Sequence, residues 1–310
     1  MEDQTKTFAY KLVRFAHKLI NKLGKNISKA AEELNYLKFK MEFGEQDDDI
    51  YIITYPKSGT TLMQMLLYQL TTNGEINFKH IYDVSPWLRN DAFKKHKPRL
   101  DLPSPRLIKS HDPYEYYDKA TKGRFIFIIR DGMDVAVSLY HQRKNYGTPN
   151  LEFDSFFKGF MKPGKMNWFT FNRKWLENKN KLPVIYITYE ELTAHFDRAL
   201  KKVAAFCNIQ VPDSELPRIR ERCSFEFMKK HEDKFGEQPP EPKPQFIFDQ
   251  FIRKGKSGEG KEELNDLQKK HFIVNYCRHI QKFEPLFQES SSMLKKRKNK
   301  IHIKNNTTAI

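Results

Sequence analysis

Short runs of β-branched and aromatic residues alternate along the chain with segments of helical periodicity. The run Phe125–Ile129 is apolar at every position, which is typical of a strand covered on both faces. The runs that predict strands are Asp49–Tyr55, Arg106–Lys109, Phe125–Ile129 and Val184–Thr188. The helical patterns between them are Thr61–Leu70, a helix opened by Asp134–Tyr140 and a segment near Asp197–Phe206. This alternation predicts a single α/β domain with a P-loop-like parallel sheet of about four to five strands and helices on both sides.

Two terminal segments differ from this pattern and give a division into residues 1–44, 45–288 and 289–310. The first is a basic amphipathic helical segment, the second is the α/β domain, and the third is a basic tail that we expect to be disordered. Within residues 8–25, apolar side chains follow one helix face and lysine and arginine the other. The apolar face either packs on the domain or rests peripherally on an anionic membrane, and the sequence leaves both uses open.

Composition narrows the class of protein. Of 310 residues 39% are hydrophobic, so a sizeable core forms and disorder is excluded for most of the chain. The formal net charge of +16 suits nucleotides, nucleic acid or an acidic membrane without choosing among them. Three widely spaced cysteines match neither a metal site nor a disulfide framework. Because a signal peptide's apolar core is also missing at the start, we expect a cytoplasmic protein.

The segment Thr54–Thr61 carries the strongest chemical signal. It lies between a predicted strand and a predicted helix, where backbone N–H groups converge and the helix N-terminus adds positive potential. Gly59 lets a phosphate approach closely, and Lys57 supplies a mobile charge. The hydroxyl donors are Ser58, Thr60 and Thr61. The segment therefore predicts an anion site that is not a Walker A loop, because GxxxxGK[ST] is absent; the alternative is a polar turn that caps a helix.

Three more elements carry groups suited to the same ligand crevice. Arg130 ends the third predicted strand, and with Ser138 two helical turns later it could bind a second phosphate. The run Arg253-Lys254-Gly255 offers two cations and a flexible backbone. His111 ends the second strand and could take a proton near neutral pH. A lone histidine is more often structural, but its position beside the other elements favours a catalytic role.

In this order and spacing, the four elements resemble the cytosolic-type sulfotransferase family, which uses 3′-phosphoadenosine-5′-phosphosulfate (PAPS). The family's YPKSGTT, KTH, RNPxDVxVSxYH and RKGxxG segments are matched by residues 55–61, 109–111, 130–141 and 253–258. Its YE and TSF segments are matched by Tyr189-Glu190 and Cys223-Ser224-Phe225. The similarity covers roughly residues 45–285, and the combination is highly specific.

The resemblance implies a role for each matched residue. His111 would be the general base, with Lys57 and Lys109 stabilising charge on the sulfuryl group. The 5′-phosphate would be held by Lys57, Ser58, Gly59, Thr60 and Thr61, and the 3′-phosphate by Arg130, Ser138, Arg253, Lys254 and Gly255. The adenine would lie against Leu62, Tyr189, Ser224 and Phe225. No metal is implied, because the lysines and backbone amides already neutralise the phosphates.

Some positions depart from the family pattern. Leu62 replaces a tryptophan that stacks on adenine, so base contacts would depend more on Tyr189 and Phe225. Glu259 and Gly260 replace the Asp-Trp of GDWK. The dimer motif KxxxTVxxxE is not recognisable after Lys261, which implies a monomer or a dimer formed by another route.

The sequence thus predicts a sulfotransferase that acts on a hydroxyl or amine of a small-molecule acceptor, releasing 3′-phosphoadenosine-5′-phosphate (PAP), with no nucleic acid as partner. Tyr82 and Trp87 are among the aromatic residues in segments that line the acceptor pocket in relatives, and each is as well suited to the core. The alternatives are a PAPS-dependent dehydratase, a P-loop kinase-like phosphotransferase, or a non-catalytic protein that binds nucleic acid or membrane.

Overall fold

A four-stranded parallel sheet forms the centre of the fold. The computed structural model describes the backbone of residues 2–117, 122–236 and 251–287, and side chains from residue 22 onward in those ranges. The strands are β1 (Ile50–Thr54), β2 (Leu107–Ser110), β3 (Arg124–Ile129) and β4 (Val184–Thr188), in the order β2-β1-β3-β4. All three pairings are parallel, which confirms the predicted sheet.

Helices occupy most of the connections between the strands. They are α1 (Glu2–Phe43), α2 (Thr60–Thr71), α3 (Leu88–Phe93), α4 (Gly132–Asn145), α5 (Phe153–Met161), α6 (Trp168–Glu177), α7 (Tyr189–Ala194), α8 (Phe196–Phe206), α9 (Leu216–Arg222), α10 (Phe225–Lys230), α11 (Glu259–Glu263) and α12 (Asp266–His279). The predicted tail, residues 289–310, lies outside the described residues.

Strand side chains alternate between two hydrophobic layers, as the pleat of a strand requires. One layer packs Ile52 and Ile126 against α2 and α8, through residues such as Leu66 and Leu200. On the other face, the aromatic rings of β1, β3 and α6 pack together: Tyr51 stacks on Phe125 with ring centroids 4.8 Å apart, and Phe127 lies 5.6 Å from Trp175. The sheet is therefore covered by helices on both faces, which explains the uninterrupted apolar run of β3.

The carboxyl ends of the four strands meet at one edge of the sheet, because all the strands are parallel. The residues that follow β1, β2, β3 and β4 there are Tyr55, His111, Arg130 and Tyr189. The topology thus brings four segments that are far apart in sequence to a single edge, where open α/β sheets bind their ligands.

A buried ion pair joins the opposite ends of β1 and β2. Asp49 accepts two hydrogen bonds from Arg106, from Nε to Oδ1 and from Nη2 to Oδ2, both at 2.7 Å. Both side chains are essentially excluded from solvent. The Asp49 carboxylate also accepts from the backbone N–H of Gln46 at 2.9 Å, so neither charge is left without hydrogen bonds.

The chain divides into two compact units, one formed by the N-terminal segment with Leu88–Asp101 and the other by Gln46–Trp87 with the residues from 102 onward. In the first unit, Arg89 of α3 pairs with Glu33 at 3.0 Å and lies over the ring of Tyr36. The predicted helix over residues 8–24 lies within α1. From residue 22 onward, where the side chains of α1 are described, the large exposed apolar residues are Leu23, Ile27, Leu34, Leu37 and Met41. Membrane contact through residues 8–25 stays a prediction.

The cysteines are all free thiols, and their environments differ. Burial raises the pKa of Cys207 to about 12 and raises that of Cys223 further, whereas Cys277 on α12 is exposed. Separately, none of the helices within the described ranges is long and apolar enough to cross a membrane.

The buried ion pair gives a stability prediction. Arg106→Met leaves the Asp49 carboxylate buried without its charge partner, so we expect the free energy of unfolding to fall by about 3–5 kcal/mol. Urea denaturation followed by circular dichroism measures the loss. Arg220→Met is the matched control, because the pair of Arg220 with Asp197 is about half exposed, and it should change stability little. Equal losses in the two variants would contradict the prediction.

Candidate active site

The turn after β1 presents backbone N–H groups at the start of α2. Lys57 and Gly59 adopt left-handed backbone conformations, with φ of 67° and 99°. Gly59 is the residue before α2, and no side chain caps this helix. A Cβ on Gly59 would lie 2.8 Å from the ring of Tyr189, so both the conformation and the space require glycine. A tight turn before a helix start without a side-chain cap is a geometry suited to an anion, and the predicted phosphate site stays a prediction.

The imidazole of His111 lies beside the end of β1. Its Nδ1 is 2.8 Å from the carbonyl oxygen of Thr54 and 3.1 Å from the Thr54 hydroxyl. A carbonyl oxygen can only accept, so this contact places the proton on Nδ1 and leaves the Nε2 lone pair available. The Thr54 hydroxyl is also 2.6 Å from the hydroxyl of Thr60, which connects the histidine to the first turn of α2.

Burial and nearby positive charge keep His111 neutral. Burial, the charge of Lys109 and that of Lys57 together lower the pKa of His111 to about 3, against the opposing effect of the hydrogen bond to Thr54. A neutral imidazole can accept a proton, whereas a protonated one cannot. The environment therefore holds His111 in the form that a general base requires.

Lys109 is buried within an aromatic cage. Its Nζ donates to the hydroxyl of Tyr82 at 2.6 Å and lies 4.4 Å from the ring centroid of Trp87. Trp87 in turn meets the His111 ring edge-on at 5.1 Å. Tyr82 and Trp87 thus hold the ammonium group and the imidazole in place. By contrast, Phe78, Tyr114, Trp168 and Phe169 are buried core residues.

Arg130 contacts two loops and the first residue of α7. Its Nη1 donates to the carbonyl of Lys57 at 3.0 Å, and its Nη2 donates to that of Lys256 at 3.1 Å. The guanidinium lies over the ring of Tyr189 at 4.2 Å. Its Nε is buried and has no hydrogen-bond partner within the described part of the chain. Arg130 therefore fixes the loops around the crevice and keeps one donor unsatisfied there.

The segment from Arg253 onward is anchored by carboxylates. Asp134 of α4 accepts from the backbone N–H groups of Gly258 and Gly260, each at 2.7 Å. Glu259 pairs with Arg253 and, at 2.8 Å, with Lys254. Arg253 and Lys254, two of the predicted phosphate-binding cations, therefore share one carboxylate of the chain itself, which offsets one of their two positive charges.

The predicted adenine side lies around α10. The ring of Phe225 is partly exposed and packs against Gly255, where a Cβ would lie 2.4 Å from it. Gly255 also has φ of 62°, so a larger residue is excluded there. Ser224 caps α10 by accepting from the N–H of Phe227 at 3.1 Å.

These groups surround one open cavity of about 500 Å³, within the usual range for a small-molecule site. The predicted site residues that line it are Lys57, Gly59, Thr60, Thr61, Leu62, Lys109, His111, Arg130, Ser138, Tyr189, Ser224, Phe225, Arg253, Lys254 and Gly255. Ser58 is fully buried and does not line it, and its hydroxyl has no hydrogen-bond partner among the residues that the structure describes.

Several lining residues were not predicted as site residues. Phe251 covers Lys57, whose Nζ is 4.3 Å from the ring centroid. Gln142 lies one helical turn after Ser138 on α4 and faces the same cavity, a position that the helical spacing from Ser138 could have indicated. Glu259 appeared in the sequence only as a departure from the family pattern, and its pairing with Arg253 and Lys254 needed the fold.

The neutral state of His111 can be tested in the free protein. Because its pKa is far below the ordinary value, the imidazole resonances should not titrate between about pH 5 and 8, where an ordinary histidine does. Two-dimensional nitrogen NMR measures this, with the spectrum of His111→Asn identifying the resonances. A midpoint near about pH 6.5 would contradict the prediction.

Comparison with known proteins gives the family. The family model described as sulfotransferase domain matches residues 47–287. The chain is 31% identical to mouse (Mus musculus) sulfotransferase 2B1 over 245 residues, covering 74% of this chain and 71% of that protein. It is 32% identical to the human (Homo sapiens) sulfotransferase 2B1 over 252 residues, covering 76% of this chain and 67% of that protein.

Solved structures share the fold. Mouse sulfotransferase SULT7A1 complexed with PAP aligns with a TM-score of 0.63 at 24% identity, covering 82% of this chain and 95% of that chain. Retinol dehydratase in complex with androsterone and PAP aligns with a TM-score of 0.60 at 17% identity, covering 78% and 85%. Since the family model spans most of the sequence, the chain belongs to the sulfotransferase domain family.

Proposed function

We propose that this enzyme transfers the sulfuryl group of PAPS to a hydroxyl or amine of a small-molecule acceptor and releases PAP. The observation that carries the proposal is a neutral histidine whose Nε2 keeps the lone pair, beside two lysines and a helix start without a side-chain cap, all in one cavity. The family supports sulfuryl transfer, and the PAP bound to mouse SULT7A1 supports the identity of the donor.

In this mechanism, His111 removes the acceptor's proton through Nε2, and the Nδ1 hydrogen bond to Thr54 keeps the ring in that tautomer. The acceptor oxygen or nitrogen attacks sulfur, and the bond from sulfur to the bridging oxygen of PAPS breaks. Lys57 and Lys109 stabilise the charge that develops on the sulfuryl group and on the leaving phosphate. The cage of Tyr82 and Trp87 fixes Lys109, which limits the reorganisation needed during transfer.

The two ends of the donor would bind at different elements. The N-terminus of α2, with Gly59, Thr60 and Thr61, suits the 5′-phosphate. Arg253, Lys254, Ser138 and Arg130, which all line the cavity, suit the 3′-phosphate. We expect these cations and the backbone N–H groups at the start of α2 to bind both phosphates without a metal ion.

A transfer assay with PAPS and a panel of phenols, alcohols and amines tests the function. Product mass separates a sulfated product from the dehydrated one that a dehydratase gives. His111→Ala should lower turnover by about 10²–10⁴-fold, the usual contribution of a general base, while PAP affinity changes little. His271→Ala, at an exposed histidine on α12, is the matched control. Phosphoryl transfer from Mg²⁺-ATP without activity on PAPS would refute the proposal.

The carboxylate that Arg253 and Lys254 share gives a second prediction. A 3′-phosphate must compete with the Glu259 carboxylate for Arg253 and Lys254, so Glu259→Gln should strengthen PAP binding by at least about 1 kcal/mol. The affinity for ADP, which lacks a 3′-phosphate, should change less. Isothermal titration calorimetry measures both.

Glu263→Gln is the control for this substitution, because Glu263 lies on the same short helix and pairs with His141 instead. If Glu259→Gln weakens PAP binding, then Glu259 organises the cations for the phosphate and does not compete with it.

A further inference from the structure

A second cavity of about 280 Å³ lies between α4, α5 and residues 162–167. None of the residues assigned above to the donor or to proton transfer lines it. Its buried wall is apolar and includes Leu139, Phe156 and Phe160, each less than a tenth exposed. We call it the aromatic cavity.

Tyr55 lines the aromatic cavity and carries a hydroxyl that can donate a hydrogen bond. The residue is only 8% exposed, with its ring packed edge-on against Phe160 and Phe171. The hydroxyl has no hydrogen-bond partner among the residues that the structure describes. Burial raises the pKa of Tyr55 to about 12, so the group stays protonated and is a donor. The hydroxyl is not among the side-chain polar atoms that are sealed from solvent without a partner, so it can donate to an acceptor atom inside the cavity.

Two exposed cations also line the aromatic cavity. Arg143 of α4 is exposed, and its guanidinium carbon is 5.4 Å from the Phe156 ring centroid. Arg143 and Tyr55 both line the cavity. Lys162 is a second exposed cation of the lining. The cavity thus combines aromatic walls, one hydroxyl donor and two cations.

We propose that the aromatic cavity binds an amphipathic anion, with a flat or aliphatic body and one sulfate, sulfonate or carboxylate group. The body would lie against Phe156 and Phe160. The anionic group would accept from the Tyr55 hydroxyl and pair with Arg143. This site is separate from the proposed transfer reaction and does not depend on it.

A substitution that fills the cavity provides the direct test. Gly159 lines the aromatic cavity, and a Cβ built there meets no atom within 4 Å, so Gly159→Leu occupies the space without displacing neighbours. Ser155→Leu adds the same side chain at an exposed position of α5 that does not line the cavity. Isothermal titration calorimetry of each variant with 2-naphthalenesulfonate, in the presence of saturating PAP, compares the two positions.

We expect Gly159→Leu to weaken binding of 2-naphthalenesulfonate at least about tenfold and Ser155→Leu to leave it unchanged. Tyr55→Phe and Arg143→Gln should each weaken it by about tenfold, the scale of losing a hydrogen bond to a charged group. Lys144→Gln, which removes the neighbouring charge of α4, is the control for Arg143→Gln and should have little effect. Neutral 2-naphthalenemethanol should bind more weakly than the sulfonate.

The proposal is overturned if the wild-type chain gives no heat of binding, if Gly159→Leu binds as well as Ser155→Leu, or if PAP displaces the sulfonate. Displacement by PAP would mean that the probe binds in the cavity around His111 and not in the aromatic cavity. The PAP titration itself and the transfer assay with Gly159→Leu report separately on the proposed function. A loss of sulfonate binding with transfer retained supports two independent sites.

Discussion

The guanidinium of Arg130 holds together segments that are more than a hundred residues apart in the chain. It follows β3, donates to the loop after β1 and to the loop near Lys256, and stacks on the residue that begins α7. Each contact uses a different part of one planar group, which lysine could not reproduce. The shape of the cavity around His111 depends on this residue, because Lys57 and Lys256, which both line that cavity, accept hydrogen bonds from it.

That arrangement changes the interpretation of the positive charge. From the sequence alone, Arg130, Arg253 and Lys254 are equivalent cations, each expected to bind a phosphate. In the structure, two backbone carbonyls accept hydrogen bonds from Arg130, while the single carboxylate of Glu259 offsets one of the two charges of Arg253 and Lys254. The excess positive charge of the chain therefore does not measure the charge that its cavity offers to a ligand. Local carboxylates decide how much is available and to which part of the donor.

The sequence predicted the sheet well because each strand is a compact apolar run with a clear boundary. The turn between β1 and α2 could also be predicted, since Gly59 and the hydroxyl residues follow a strand directly. The role of Asp134 could not, because its partners Gly258 and Gly260 are brought close only by folding. The aromatic cavity was hidden for a similar reason: Tyr55 belongs to the phosphate segment in sequence, yet its ring faces Phe160 and Phe171.

The contrast among the thiols has a practical consequence. Alkylating reagents attack thiolates, and burial keeps Cys207 and Cys223 protonated, whereas Cys277 is exposed on α12. The chain has three cysteines, so a maleimide dye would label the folded protein at one position without any engineered change. That helix packs on α6 through Phe272 and Trp168. A fluorophore at Cys277 would therefore report on the packing of the carboxyl-terminal helix while leaving every other side chain of the enzyme in its natural form.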